Sequence, residues 1–324
     1  MNLEKQIFEV NATNFERLAL EVFRFQYQHG SVYREYVDSL GVKSEDVQHL
    51  SEIPFLPIEF FKSQRILAPE APVQQTFESS GTTGSINSKH YITKISMYEE
   101  SLLKSFEQAF GKASNYCFLA LLPNYLERQN SSLVYMVNRL MEESKHPNNG
   151  FYLYNHEELF EKLQELEAQG QPTLLFGVSF ALLDFTEKYH LNLKHTKVVE
   201  TGGMKGRRKE ITREELHSEL CQAFGTQQIH SEYGMTELLS QAYSQKEGIY
   251  HCQPWMQVYI REANDPFSYV EEEITGGINI IDLANLFSCS FIETKDLGRR
   301  YDDGSFSVLG RFDTSDIRGC NLMA

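Results

Sequence analysis

The chain contains no G-x-x-x-x-G-K-[ST], no G-x-S-x-G and no G-x-G-x-x-G following a strand. These gaps exclude a Walker phosphate loop, the nucleophile elbow of an α/β-hydrolase and the usual dinucleotide fingerprint. No apolar run approaches ~18 residues, so no segment is expected to span a membrane. Basic residues are scarce: 30 Lys and Arg stand against 45 Asp and Glu, for a formal net charge of -15. That balance argues against a nucleic-acid or anionic-membrane partner and leaves room for a local basic pocket. Cysteine is sparse as well. Cys117, Cys221, Cys252, Cys289 and Cys320 are odd in number and widely spaced, with no C-x-x-C among them. Reduced thiols of a cytoplasmic protein fit this better than a disulfide framework or a zinc site. The opening Met1–Gln6 lacks the basic and apolar regions of a signal peptide, which agrees with a cytoplasmic location.

What is present suffices for a large folded body. The chain has 324 residues, 41% of them hydrophobic and 12% aromatic. The first sixty residues read as helical, with a capping-box pattern at Thr13-x-x-Glu16, followed by a Pro-punctuated apolar stretch over 53–62. A strand is predicted around Val73–Phe77. A second capping box, Ser96-x-x-Glu99, predicts a helix stopped by Gly111. Strands over Tyr116–Leu122, Phe151–Tyr154, Thr173–Val178, Lys197–Thr201 and Gln227–Ser231 then alternate with helices over Ser131–Glu143, Glu157–Ala168, Phe180–Lys188 and Lys209–Phe224. The rhythm predicts an α/β fold with a mostly parallel, helix-covered sheet. After about Gln241 strand-like runs follow one another without long helices: Trp255–Arg261, Gly277–Leu283 and Ser305–Leu309. The predicted division is an α/β body over 1–240 and a smaller β-rich subdomain over 241–324.

The most unusual stretch is Ser79-Ser80-Gly81-Thr82-Thr83-Gly84. It offers almost nothing to a core. Its glycines let backbone close around an oxyanion, and its hydroxyls and N–H groups donate to one. Taken alone, such a run is more often a surface linker. Two loops follow predicted strands, where an open α/β sheet binds ligands. Thr201-Gly202-Gly203-Met204-Lys205-Gly206 lets a planar ring approach the backbone and brings cations to phosphates. Glu232-Tyr233-Gly234-Met235-Thr236-Glu237 supplies a ring, a hydroxyl and a carboxylate suited to Mg²⁺. Either loop is by itself compatible with an ordinary turn. Lys295-Asp296-Leu297-Gly298, followed by Gly310-Arg311-Phe312-Asp313, offers an Asp for ribose hydroxyls and an Arg for sugar or phosphate. In isolation it reads as a hairpin with a Lys–Asp turn.

In this order and at these long spacings, the pieces resemble the adenylate-forming enzymes: acyl-CoA synthetases, adenylation domains and luciferases. Ser79–Gly84 looks like their phosphate loop, Tyr233–Glu237 like their Tyr-Gly-x-Thr-Glu motif, and Asp296 with Gly310–Asp313 like their ribose Asp and hinge motif. The ending Arg318-Gly319-Cys320-Asn321 resembles the phenylacetate–CoA ligase branch. The chain stops just after the hinge motif, so the family's mobile C-terminal domain and its catalytic lysine are expected to be lacking. A short chain ending near a cysteine resembles above all the acyl-protein synthetase branch of the bacterial bioluminescence fatty-acid reductase.

The resemblance implies activation of a carboxylic acid, specifically a long-chain fatty acid, to acyl-AMP with ATP and Mg²⁺. The acyl group then passes to Cys320 and on to a reductase partner. It implies phosphate contacts from Ser79, Ser80, Gly81, Thr82, Thr83 and Gly84. Gly202, Gly203, Tyr233 and Gly234 frame the adenine, and Asp296 and Arg311 hold the ribose. Thr236 touches the α-phosphate or carboxylate, and Glu237 binds Mg²⁺. Lys205 is the first candidate for the missing lysine, ahead of Lys89 and Arg299. Transfer to CoA, a carrier protein or an amine is the alternative reaction, and a degenerate nucleotide-binding assembly subunit the non-enzymatic one.

Overall fold

The computed structural model describes residues 3–80, 86–122, 129–202, 211–263 and 265–312. In chain order the helices are α1 (Leu3–Ile7), α2 (Phe15–His29), α3 (Ser31–Ser39), α4 (Phe60–Ser63), α5 (Ile95–Phe110), α6 (Ser132–Ser144), α7 (His156–Gln169), α8 (Ser179–Thr186) and α9 (Arg213–Phe224). The strands are β1 (Leu56–Pro57), β2 (Gln75–Glu78), β3 (Lys89–Ile92), β4 (Cys117–Leu121), β5 (Gly150–Phe151), β6 (Thr173–Val178), β7 (Thr196–Thr201), β8 (His230–Tyr233), β9 (Ala242–Lys246), β10 (Ile249–His251), β11 (Met256–Arg261), β12 (Gly276–Asp282), β13 (Phe291–Arg300) and β14 (Phe306–Arg311). Among the described residues no helix is long and apolar enough to cross a membrane.

The chain divides into two compact units. One comprises Phe61–Arg65 and Ala71–Gln253; the other comprises Met1–Phe60, Ile66–Glu70 and Pro254–Ala324. The expected boundaries, 1–240 and 241–324, differ from these at both ends. The N-terminal helices group with the C-terminal strands, and β9 and β10 stay with the α/β body. The reason is pairing. β9 runs antiparallel beside β8, with Glu232 opposite Tyr243, and β10 folds back on β9.

In the α/β unit the strands run in the order β10, β9, β8, β7, β6, β4, β5, and β8 through β5 are mutually parallel. β4 and β6 are buried along their whole length, as parallel strands covered on both faces must be. Their sequences, Cys-Phe-Leu-Ala-Leu and Thr-Leu-Leu-Phe-Gly-Val, are accordingly continuous apolar runs. α7 and α9 end on Gly170 and Gly225, both in the left-handed conformation that glycine adopts without a Cβ clash. β2 and β3 form a separate antiparallel hairpin.

Neither expected capping box forms. α2 has Asn14 at its N-cap, while the Thr13 hydroxyl donates to Asn11 Oδ1. α5 begins at Ile95, which puts Ser96 inside the helix, and Glu99 instead accepts from the Tyr135 hydroxyl at 2.6 Å. A box does form at the start of α9: Glu215 N–H donates to Thr212 Oγ1, and Thr212 N–H to Glu215 Oε2.

In the second unit β11, β12, β13 and β14 are antiparallel neighbours, and the first half of β13 also pairs with β1 in parallel. The Lys295–Gly298 turn expected from composition is absent; these residues lie inside the ten-residue β13. α2 and α3 cover this sheet through an aromatic cluster in which Phe23, Tyr33 and Phe55 all contact Phe291. Gln26, fully buried, donates to the carbonyls of Asn285 and Leu286 and accepts from Ser290 N–H. An unpaired amide there would cost about 1–3 kcal/mol, so these bonds lock α2 to the loop before β13.

Candidate active site

The Ser79–Gly84 run begins where β2 ends. Glu78 opposes Lys89 across the hairpin, and their side chains pair at 3.5 Å. Ser79 N–H donates to Ser88 O, and Ser88 N–H returns a bond to Ser79 Oγ at 2.9 Å. Ser79 is half-buried and Ser80 exposed. Gly81, Thr82, Thr83 and Gly84 lie outside the described residues, as do Gly203, Lys205 and Cys320.

His90, the second residue of β3, is fully buried. Its Nδ1–H donates to the main-chain oxygen of Thr236 at 2.8 Å. A carbonyl only accepts, so Nδ1 carries the proton. The strand that leaves the Ser/Thr/Gly loop is thereby fastened to the Tyr-Gly-Met-Thr-Glu turn. That turn follows β8, and Gly202 follows β7 beside it. Both therefore stand at the carboxyl ends of adjacent parallel strands.

Thr201 and Glu232 face each other across these strands, and the Thr201 hydroxyl donates to Glu232 Oε2 at 2.5 Å. A Cβ on Gly234 would stand 2.4 Å from Glu232 Oε1, so any larger residue there displaces that carboxylate. The charge of Glu232, after burial, helps hold the Tyr98 and Tyr243 hydroxyls well above their usual range. Tyr233 packs its ring against Tyr250 at 5.7 Å and is 8% exposed. Thr236 is half-buried and Glu237 buried. No group of three or more His, Cys, Asp or Glu among the described residues is placed to hold a metal. A single carboxylate such as Glu237 still suits Mg²⁺, which takes most of its ligands from water and substrate phosphates.

A further buried acid, Glu200, precedes Thr201 in β7. It accepts from Ser179 Oγ at 3.0 Å and lies 3.5 Å from His217 Nε2 and 4.0 Å from Arg213 Nε. Burial alone would raise its carboxyl pKa; hydrogen bonds from His217 and Ser231, with the Arg213 charge, outweigh it and lower the value.

In the other unit Asp296 on β13 is the register partner of Arg311 on β14. Arg311 Nε stands 3.4 Å from Asp296 Oδ1; the carboxylate is 14% exposed and the arginine 75%. Behind them Arg261, 5% exposed, donates to Ile278 O, Asn279 Oδ1 and Thr294 O and lies over the Phe312 ring at 5.4 Å. Thr294 Oγ1 in turn accepts from Asp296 N–H at 3.1 Å. The alternative lysine Lys89 is engaged by Glu78, and Arg299 donates to Thr275 Oγ1.

Sequence reasoning missed His90, Glu200, Glu232 and Arg261. The only local signal was an acid closing the run Val198-Val199-Glu200-Thr201, where a buried parallel strand should be apolar.

A long-chain-fatty-acid–luciferin-component ligase of Vibrio harveyi is 23% identical over 334 residues, covering 94% of this chain and 86% of that protein. Its counterpart from Photorhabdus luminescens is 34% identical over 70 residues, 21% of this chain. Among solved structures, a 2-hydroxyisobutyryl-CoA ligase in complex with 2-HIB-AMP and CoA aligns with a TM-score of 0.70 at 11% identity, over 94% of this chain and 71% of that one. ATP-bound MatB from Rhodopseudomonas palustris aligns with a TM-score of 0.56 at 14% identity, over 74% of this chain and 48% of that one. The chain thus spans about half the length of MatB. At such identities these likenesses show a fold shared with those ligases. The family model described as LuxE, acyl-protein synthetase, matches residues 7–324, and the chain belongs to that family.

Proposed function

We propose that this chain activates a carboxylic acid by adenylation and then carries the acyl group on its own cysteine. The observation that carries this reading is the His90–Thr236 bond. It ties β3, the strand that follows the Ser/Thr/Gly run, to the turn bearing Thr236 and Glu237, which supports a site that draws on both stretches. Membership of the acyl-protein synthetase family supports the same chemistry.

In the first step a carboxylate oxygen attacks the α-phosphorus of ATP, acyl-AMP forms and pyrophosphate leaves. Catalysis is then a matter of positioning and charge neutralisation. Ser79–Gly84 cradle the phosphates, and Thr236 aligns the reacting oxygens. Gly202, Gly203, Tyr233 and Gly234 frame the adenine, while Asp296 and Arg311 bind the ribose. Glu237 would hold Mg²⁺, which would supply positive charge to offset that of the departing pyrophosphate. Lys205 supplies the cation at the reacting centre.

In the second step the Cys320 thiolate attacks the acyl carbon, the C–O bond to phosphate breaks, and AMP leaves with the electron pair. Arg318, two residues away, favours the thiolate. The acid is a long-chain fatty acid, as the name of the Vibrio harveyi relative suggests. The thioester is then the substrate of a reductase partner in the cytoplasm.

Intact mass after incubation with ATP, Mg²⁺ and mixed acids tests the whole reading. One acyl group is expected on the protein, lost in Cys320→Ser. Label surviving that change overturns Cys320 as acceptor, and acyl transfer only to added CoA makes the chain a CoA ligase. No acid-dependent ATP–pyrophosphate exchange would remove the enzymatic reading altogether. Unchanged acyl-AMP formation in Lys205→Ala would remove that lysine's role.

A further inference from the structure

Glu200 is an acid in a place built for apolar side chains. β7 lies between β6 and β8 in the parallel sheet, and Glu200 is 6% exposed. Its two oxygens are both used. Oε2 accepts from the hydroxyl of Ser179, the first residue of α8, at 3.0 Å. The same hydroxyl lies 3.4 Å from the Gly202 carbonyl oxygen. Oε1 faces Arg213 and His217, from the first two turns of α9. His217 Nε2 also stands 3.3 Å from Ser231 Oγ, two residues before Tyr233. One carboxylate thus gathers groups from the carboxyl end of β6, from β7 and β8, and from the start of α9.

Stability does not explain this arrangement. Apolar packing of equal volume commonly serves stability as well as a buried ion pair or better. Arg213 opens α9, where a cation opposes the helix dipole. It is kept there by Glu200, by the Tyr250 ring at 5.1 Å and by the Gly248 carbonyl at 3.5 Å. A Cβ on Gly248 would stand 2.8 Å from the Arg213 side chain, so the path of β9 to β10 is also shaped to admit it.

We propose that Glu200 is a positioning residue for the nucleotide site. It fixes Gly202 on one side and the start of α9 on the other, and so sets the spacing between Gly202 and Tyr233, the described residues taken to frame the adenine. This rests on the adenylation reading above. Glu200 touches no substrate; it acts through Ser179, Arg213 and His217.

The test compares the full-length chain with Glu200→Gln, which keeps the shape and an acceptor for Ser179 and removes the charge. Two readouts are taken: acid-dependent ATP–pyrophosphate exchange, and amide hydrogen exchange by mass spectrometry. The KM for ATP is expected to rise roughly tenfold or more while kcat stays within about threefold, as misplacement of a binding group predicts. Peptides covering 198–202 and 211–217 should exchange faster, with β4 and β11 unchanged. Should Glu200→Gln fail to fold, Ser179→Ala should shift both readouts in the same direction by less. Wild-type exchange rates in those peptides, or loosening without any change in KM, overturns the proposal. If no acid supports pyrophosphate exchange even in wild type while the variant loosens both segments, the adenylation reading fails and the anchoring of the strand ends stands.

Discussion

His90 and Thr236 stand 146 residues apart in sequence and are joined by a 2.8 Å hydrogen bond from a buried ring nitrogen to a main-chain oxygen. The bond joins the β2–β3 hairpin to the turn that carries Thr236. His90→Ala leaves the half-buried Thr236 carbonyl without this donor, at about 1 kcal/mol of stability. Pyrophosphate exchange is expected to fall roughly tenfold or more, because reacting groups lose alignment. Asn places an amide nitrogen near the position of Nδ1, so His90→Asn should recover a good part of both. Denaturant titration and exchange assays on the two variants check this; equal loss in both would show that packing, not the bond, matters.

Gly234→Ala puts a methyl group against Glu232 Oε1, at 2.4 Å before any adjustment. The carboxylate must move, and its bond from Thr201 breaks. Overpacking of this kind costs about 1–3 kcal/mol. Thermal unfolding of Gly234→Ala beside Gly234→Ala/Glu232→Ala checks the cause: the smaller second side chain should return part of the loss.

Arg311 is three-quarters exposed, so its pair with Asp296 adds little stability. Arg311→Ala should change unfolding free energy by less than about 1 kcal/mol. Its effect should fall on nucleotide affinity, with KM for ATP raised in both Arg311→Ala and Asp296→Asn. A large stability loss without a change in KM would assign the pair to the fold instead.

Cys117 and Cys289 are buried, and burial pushes each thiol up to about 12. Thiols in the unfolded chain ionise near 8.5. Between these values the unfolded state has released protons that the folded state retains, so stability falls as pH rises from about 9 toward 12. Below about 8 neither thiol contributes to the pH dependence. Urea midpoints at pH 8 and pH 10 test the sign. Both sites should also react slowly with alkylating reagents in the native protein, which keeps them from competing with Cys320 for an acyl group.

The parallel core was legible because β4 and β6 are short apolar runs and helical stretches separate β4, β6 and β7 in the sequence. β13 was not: Glu293-Thr294-Lys295-Asp296-Leu297-Gly298 has the composition of a turn, and only pairing with β12 and β14 makes it a strand. The capping boxes at Thr13 and Ser96 are four-residue patterns, and tertiary partners such as Tyr135 claimed Glu99 first. At the candidate site, the roles expected of Ser79, Gly202, Gly234, Thr236 and Asp296 come from resemblance to known motifs. His90, Glu200 and Arg261 belong to no such motif. Their partners lie on other elements of the fold, and only Glu200 leaves a local trace, an acid in a strand that should be apolar.

The bonds from Gln26 to Ser290 bridge 264 residues of chain. At about 5–20 residues per second, a ribosome needs roughly 13–50 s to produce the second partner after the first. Throughout that interval the apolar face of α2 has emerged without the strand that covers it, while residues 71–253 can complete their own sheet. The inserted α/β unit is therefore complete in sequence, and able to close, before the earliest helices have the strands they pack against.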